Sequence, residues 1–203
     1  MGIEIPKYDP SAFSLGRELL EWLESITFAG VVAFFLFTFV VRLVTVEGHS
    51  MQPTLEEHDR LVIQTINYEP ELGDIVVIKL PDERPLIKRI IAMEGQTIDI
   101  DFDNGIVYRD GEMLEEPYIL EPTYRSKDVE FPATVPEGCI FVMGDNRNHS
   151  SDSREAAVGM VPLERVVGKA VFRFMPLETI GGLYDNLEGS AQTGVGMELV
   201  PVE

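Results

Sequence analysis

The sequence has a single cysteine, Cys139, which excludes an internal disulfide and any site built on several thiolates. Cys139 lies in the apolar run 138–142, where a cysteine reads as an inert core residue. Histidine is nearly as scarce: His49, His58 and His149 do not fall at metal-ligand spacing, so no metal centre is expected. Basic residues are few as well, 16 against 35 acidic ones, for a net charge of −19. A surface of that sign repels phosphates, which argues against nucleic acid as a partner. Disorder is excluded by composition, since 45% of the residues are hydrophobic and 25% charged. A chain of 203 residues has room for a short anchor and one domain with its own core.

Charge is missing altogether from residues 26–41, a run of 16 residues with five Phe and no polar face. As a helix this run spans only about 24 Å, short of a hydrocarbon core of about 30 Å. Extended through Arg42 to Val46 it reaches about 31 Å, provided Arg42 snorkels to the interface, with Trp22 suited to the opposite one. The expectation is a transmembrane anchor over 26–46, preceded by a segment 1–25 in which 15–25 has the pattern of a short amphipathic helix. No positive charge cluster precedes the run, and it is long for the apolar part of a cleavable leader, so an uncleaved anchor is expected. Flanking charges do not decide the orientation, because Lys7 and Arg17 lie on one side and Arg42 and Arg60 on the other.

Beyond residue 46 the pattern changes to short β-branched and aromatic runs at 61–66, 74–80, 87–93, 97–101, 106–109, 139–144 and 165–174, bounded by Gly, Pro, Asn and Asp. Asp103, Asn104 and Gly105 mark a hairpin between two of them. Without helical patterns in between, these runs predict a mainly β antiparallel barrel or sandwich over 47–177. A Pro-rich stretch, 116–137, reads as a loop within an insertion of about 102–137 that forms a small cap. An acidic, Gly-containing tail, 178–203, reads as loosely ordered.

Chemistry has few candidates. Ser50 follows the apolar run by only four residues beyond Val46, but a serine is a poor nucleophile without a base within hydrogen-bond reach. His49 and His58 are possible bases, although no complete Ser-His-Asp arrangement is evident. Lys88 is the other candidate. It lies in a strand-like run whose alternation puts it on the face of Leu86 and Ile90, and burial there would disfavour its ammonium. At an ordinary pKa near 10.4 only about one lysine in 2,500 is neutral at pH 7, so the environment would have to lower it by several units.

Residues 50–55, Ser-Met-Gln-Pro-Thr-Leu with Gly48 before them, resemble the nucleophile box of type I bacterial signal peptidases. Residues 86–91 resemble their lysine box. Residues 144–154, Gly-Asp-Asn-Arg-Asn-His-Ser-Ser-Asp-Ser-Arg, are similar to the third box, and the likeness spans about 26–176 in the family order.

The resemblance implies a membrane-anchored serine endopeptidase that cleaves signal peptides from exported preproteins, with no cofactor. It implies Ser50 as nucleophile, neutral Lys88 as general base and the Ser50 N–H as an oxyanion donor. Ser150 matches the serine whose hydroxyl orients the lysine amine. Asp152 and Arg154 match a bracing pair with Arg89 nearby, and Met51 and Pro53 would shape the cleft. Asp145 and Asn146 are read as turn-formers. With glycine at position 48, as in the single-anchor branch, the second oxyanion donor is left to the Gly48 backbone, to water or to a group not evident from sequence. The implied location is the cell membrane, single-pass, with the catalytic domain on the extracytoplasmic side, and the implied partners are preproteins, the lipid bilayer and the translocation channel. Two rival readings are weaker. A self-cleaving repressor would lack the anchor and carry a DNA-binding domain, and a non-catalytic binding module would have no need of all three boxes.

Overall fold

The computed structural model describes residues 10–35, 41–81 and 84–184, which divide into two units at Val41. The first unit contains one helix, α1 (Pro10–Phe35). It joins the expected amphipathic stretch to the start of the charge-free run without a break. Arg17 and Glu21 pair one turn apart at 3.1 Å on its surface, while Leu19, Trp22, Leu23, Ile26 and Phe28 are exposed. Among the described residues no helix is long and apolar enough to cross a membrane.

The expected helical anchor over 26–46 is revised at its far end. Residues 36–40 lie outside the described residues, and Val41–Thr45 form strand β1. Val46 is buried in the core of the second unit. The β-branched composition of Val41-Arg42-Leu43-Val44-Thr45 favours an extended chain, and pairing with the next strand overrides helical continuation.

The second unit is mainly β, as expected. Strands β2 (Arg60–Gln64), β3 (Ile75–Ile78), β4 (Leu86–Met93), β5 (Thr97–Asp101), β6 (Ile106–Arg109), β7 (Glu112–Met113), β8 (Ala133–Thr134), β9 (Cys139–Met143), β10 (Val161–Pro162), β11 (Val166–Met175) and β12 (Gly181–Gly182) form two sheets. The larger runs β1-β2-β11-β3-β4-β9-β10, with β12 added to β11; the smaller runs β7-β6-β5-β8. The pairings of β2 to β12 are antiparallel. At the hairpin between β5 and β6 the Gly105 N–H closes onto the Asp101 carbonyl at 2.7 Å, and the Asp101 carboxylate caps the N–H groups of Asp103 and Asn104.

Two expected boundaries move. The cap begins at Thr97 rather than at 102, because β5 belongs to the small sheet. The tail does not loosen at 178. Gly181 and Gly182 pair with β11, Leu183 is buried in the core, and the Tyr184 hydroxyl accepts from Ile75 N–H at 2.8 Å and donates to the Ala170 carbonyl at 3.1 Å. Residues 185–203 lie outside the described residues.

The long strand β11 links both halves of the large sheet, pairing with β3 through Val166–Lys169 and with β2 through Lys169–Met175. A Cβ on Gly168 would collide with the Gln64 carbonyl oxygen and the Ile63 side chain, so the backbones approach here as closely as glycine allows. Gly168→Ala is expected to destabilise the domain by about 1–3 kcal/mol through overpacking, read as a lowered Tm in thermal unfolding; an unchanged Tm would contradict this account of the β11 junction.

Candidate active site

Ser50 sits at the start of a tight turn that packs on the core. Met51 and Leu55, both buried, fasten it to Val46, Leu61 and Ile63, and the Leu55 N–H donates to the Met51 carbonyl at 2.9 Å. Gly48 precedes the turn at φ +83°, a left-handed conformation that glycine adopts without strain. Pro53 is exposed on the turn. From the loop after β9, Asn146 N–H donates to the Ser50 carbonyl at 3.0 Å and Asn146 Nδ2 to the His49 carbonyl at 3.1 Å. The Ser50 N–H itself donates to no acceptor among the described residues.

Lys88 lies on β4 between β3 and β9. Both faces of that strand are covered, so Lys88 is buried as its alternation with Leu86 and Ile90 suggests, and so are the residues between them. Val76, opposite Lys88 in the ladder, belongs to one apolar cluster with Leu86 and Ile90. Lys88 is 2% exposed, and its Nζ lies 2.8 Å from Ser50 Oγ and 2.8 Å from the Ile87 carbonyl oxygen. Burial pulls the Lys88 ammonium down to about 8, against the opposing pull of the Asp152 and Asp145 carboxylates. The histidine alternative is not assembled. His49 lies 3.6 Å from Glu57, and His58 and His149 are exposed.

Three arginines of β4 and the third box are fully buried, each fixed to a carboxylate. Arg89 grips Asp145 with Nε to Oδ1 at 2.8 Å and Nη2 to Oδ2 at 2.6 Å, and Thr54 Oγ1, from the Ser50 turn, donates to the same carboxylate at 2.5 Å. Arg154 grips Asp152 at 2.8 Å through each of two nitrogens. Burial alone would raise the Asp152 carboxyl; the Arg154 guanidinium and the Gly144 N–H hold it below its ordinary value. Arg147 grips Glu116 and donates to Thr123 at 3.0 Å and to the Gly144 carbonyl at 3.1 Å. Tyr118 lies between Arg89 and Arg147, its ring centre 4.0 Å from one guanidinium and 5.9 Å from the other.

Ser150 Oγ is buried beside Gly144, close to the Ser50 carbonyl, and contributes to lowering Asp152. It meets no partner in full hydrogen-bond geometry among the described residues, so the bond to the Lys88 amine implied by the resemblance is not made in this structure. A cavity of about 230 Å³ opens beside Ser50 and Lys88, walled mainly by Val44, Val46, Met51, Leu86 and Ile87. Glu47 and Arg84, 2.9 Å apart, also line it. Among the described residues no group of His, Cys, Asp and Glu is placed to hold a metal ion.

A family model described as signal peptidase, peptidase S26, matches residues 19–175. The chain belongs to this family. Among members of the signal peptidase family, the probable signal peptidase I-1 of Synechocystis sp. is 43% identical over 75% of this chain and 81% of its own. Signal peptidase IB of Staphylococcus aureus is 33% identical over 79% and 91%. A solved signal peptidase I from Enterococcus faecalis V583 matches 50% of this chain and 97% of its own at 30% identity, with a TM-score of 0.42. Membership of the signal peptidase family makes the chain a serine endopeptidase.

Of the site residues expected from sequence, the structure brings Ser50 and Lys88 together and pairs Asp152 with Arg154. Arg89 is paired with Asp145 instead, which makes Asp145 a buried ion partner as well as a turn residue. Arg147, Glu116 and Tyr118 were not singled out; an arginine inside the third box was the one signal that pointed to them. A buried ammonium has a measurable consequence. With a folded pKa near 8 and an unfolded one near 10.4, the unfolded chain binds more protons between those values. The penalty is therefore complete below about pH 8 and fades as pH rises toward 10.4. Lys88→Met is expected to be more stable than wild type at pH 7 by up to about 3 kcal/mol, with the gap narrowing toward pH 10 in denaturant titrations; a variant less stable at pH 7 would contradict the burial penalty.

Proposed function

We infer that this chain is a signal peptidase I that hydrolyses the bond after the signal peptide of exported preproteins, with Ser50 as nucleophile and neutral Lys88 as general base. The observation that carries the reading is the 2.8 Å separation of Ser50 Oγ and Lys88 Nζ with the lysine buried. At a pKa of about 8, roughly one Lys88 in ten is free amine at pH 7, against about one in 2,500 for an exposed lysine. In the reactive form the Ser50 hydroxyl donates to Nζ, and one amine N–H donates to the Ile87 carbonyl. The lone pair thus points at the proton to be removed.

Ser50 Oγ attacks the scissile carbonyl as Lys88 takes its proton, and the Ser50 N–H, which has no acceptor among the described residues, meets the developing oxyanion. Lys88 then returns the proton to the leaving amine, and a water activated by the same amine releases the acyl group. Ser150 supports Lys88, whose second N–H is available to its hydroxyl. Asp152, Arg154 and Arg89 brace the site, while Gly48, Met51 and Pro53 shape its edge. The narrow apolar cavity next to Ser50 suits small side chains at the −1 and −3 positions of the substrate.

The chain is read as single-pass in the cell membrane, with segment 1–25 cytoplasmic, an anchor within 26–46, the peptidase domain extracytoplasmic, and preproteins met in the bilayer beside the translocation channel. The exposed apolar side chains of α1 and the charge-free run that follows support this. The detergent-solubilised protein is expected to cleave a preprotein with an Ala-x-Ala site, while Ser50→Ala and Lys88→Ala lose at least about a thousandfold in kcat/KM. Near-wild-type cleavage by either variant, followed on gels or by mass spectrometry, would sink the dyad.

A further inference from the structure

The segment that follows β7 returns along the third box and is stitched to it. Leu120 N–H donates to the Asp145 carbonyl at 3.1 Å, Tyr124 and Arg125 N–H donate to Asn148 Oδ1 at 3.1 and 3.0 Å, and Val129 N–H donates to the Arg154 carbonyl at 3.1 Å. This path delivers Lys127, whose side chain is only 10% exposed. Its Nζ donates to the Ser150 carbonyl and lies 2.5 Å from Glu155 Oε1. The Ser151 hydroxyl reaches the same Glu155 oxygen at 3.4 Å. Lys127 therefore holds the peptide of Ser150, whose hydroxyl is buried.

The charges around Lys88 are arranged in pairs. Asp145 is bound to Arg89 from Lys88's own strand, Asp152 to Arg154 in the third box, and Glu47 to Arg84 at the mouth of the cleft. Glu155 is bound to Lys127 from the inserted segment. Lys88 has no ionic partner among the described residues. A lone carboxylate at position 155 would favour its ammonium, and a lone ammonium at position 127 would oppose it; both act on Lys88 in these opposite senses.

We propose that Lys127 and Glu155 are a positioning ion pair for the Ser50–Lys88 site, holding the Ser150 peptide in place and balancing each other's field at the Lys88 amine. The proposal rests on the reading of Lys88 as general base. It gives the inserted segment a part in the reaction although it contributes no atom to the bond being broken.

The test is the pH dependence of kcat/KM for the full chain in detergent with an Ala-x-Ala preprotein, comparing wild type, Glu155→Gln, Lys127→Met and the double variant. Glu155→Gln is expected to move the midpoint of the acid limb down by about half a pH unit, Lys127→Met to move it up by a similar amount, and the double variant to return it near wild type. Midpoints that stay with wild type, or that move in the same direction for both single variants, would overturn the proposal, since a merely structural pair would lower the rate without that pattern. Should Lys127→Met fail to fold, the half-exposed position 155 still decides: Glu155→Gln must shift the midpoint downward, and any other result overturns the pair's role. A wild-type profile with no acid limb would overturn the reading of Lys88 itself, whereas a normal limb that the variants leave unmoved overturns only the pair.

Discussion

A lysine buried inside a folded domain 2.8 Å from a serine hydroxyl is the constraint on which the rest of this structure depends. Burial lowers Lys88 to about 8, and the penalty for holding it there is about 3 kcal/mol, a large fraction of the stability of an ordinary domain. The nearby carboxylates would undo the effect if left bare, because Asp152 and Asp145 both favour the ammonium. Arg154 and Arg89 bind them in two-pronged pairs, which weakens their pull on Lys88. The geometry of β4 follows from the same need. A strand with both faces covered can bury Lys88 toward Ser50 and Arg89 toward Asp145 within two successive residues.

Buried ion pairs of this kind add little net stability, since desolvation offsets most of their attraction, but breaking one partner away costs about 3–5 kcal/mol. Their use here is to fix positions. Asp145 receives Arg89 from β4 and Thr54 from the Ser50 turn, so one carboxylate ties the strand that carries Lys88 to the turn that carries Ser50. Asn146 then holds the Ser50 carbonyl, and the missing side chain of Gly144 leaves room for both that carbonyl and the Ser150 hydroxyl. The inserted segment closes the arrangement from outside through Glu116 and Tyr118, which engage Arg147 and Arg89. It is a brace for the third box as much as a cap.

The parts of this architecture legible from sequence were those with local signals. Alternating β-branched runs gave most strands of the large sheet, Asn104-Gly105 gave the hairpin, and the three boxes led to Ser50, Lys88, Asp152 and Arg154. What escaped was decided by long-range packing. Val41–Thr45 is as apolar as the helix before it, and only its neighbour in the sheet makes it a strand. Gly181 to Tyr184 carries no strand pattern, yet Leu183 fills a gap in the core and the Tyr184 hydroxyl bridges β3 and β11. Asp145 looked like a turn residue because that is what Asp does locally. Its guanidinium partner lies 56 positions away in the chain, a distance at which sequence patterns carry no pairing information.

The central claim, that burial lowers the Lys88 pKa to near 8, is tested most directly by titrating it. In protein labelled with carbon-13 at the lysine ε-position, the Lys88 resonance is assigned as the one missing in Lys88→Arg and followed by NMR from pH 6 to 11. The account predicts a midpoint near 8, well separated from the other lysines. A Lys88 resonance that remains that of an ammonium past pH 10 would contradict it.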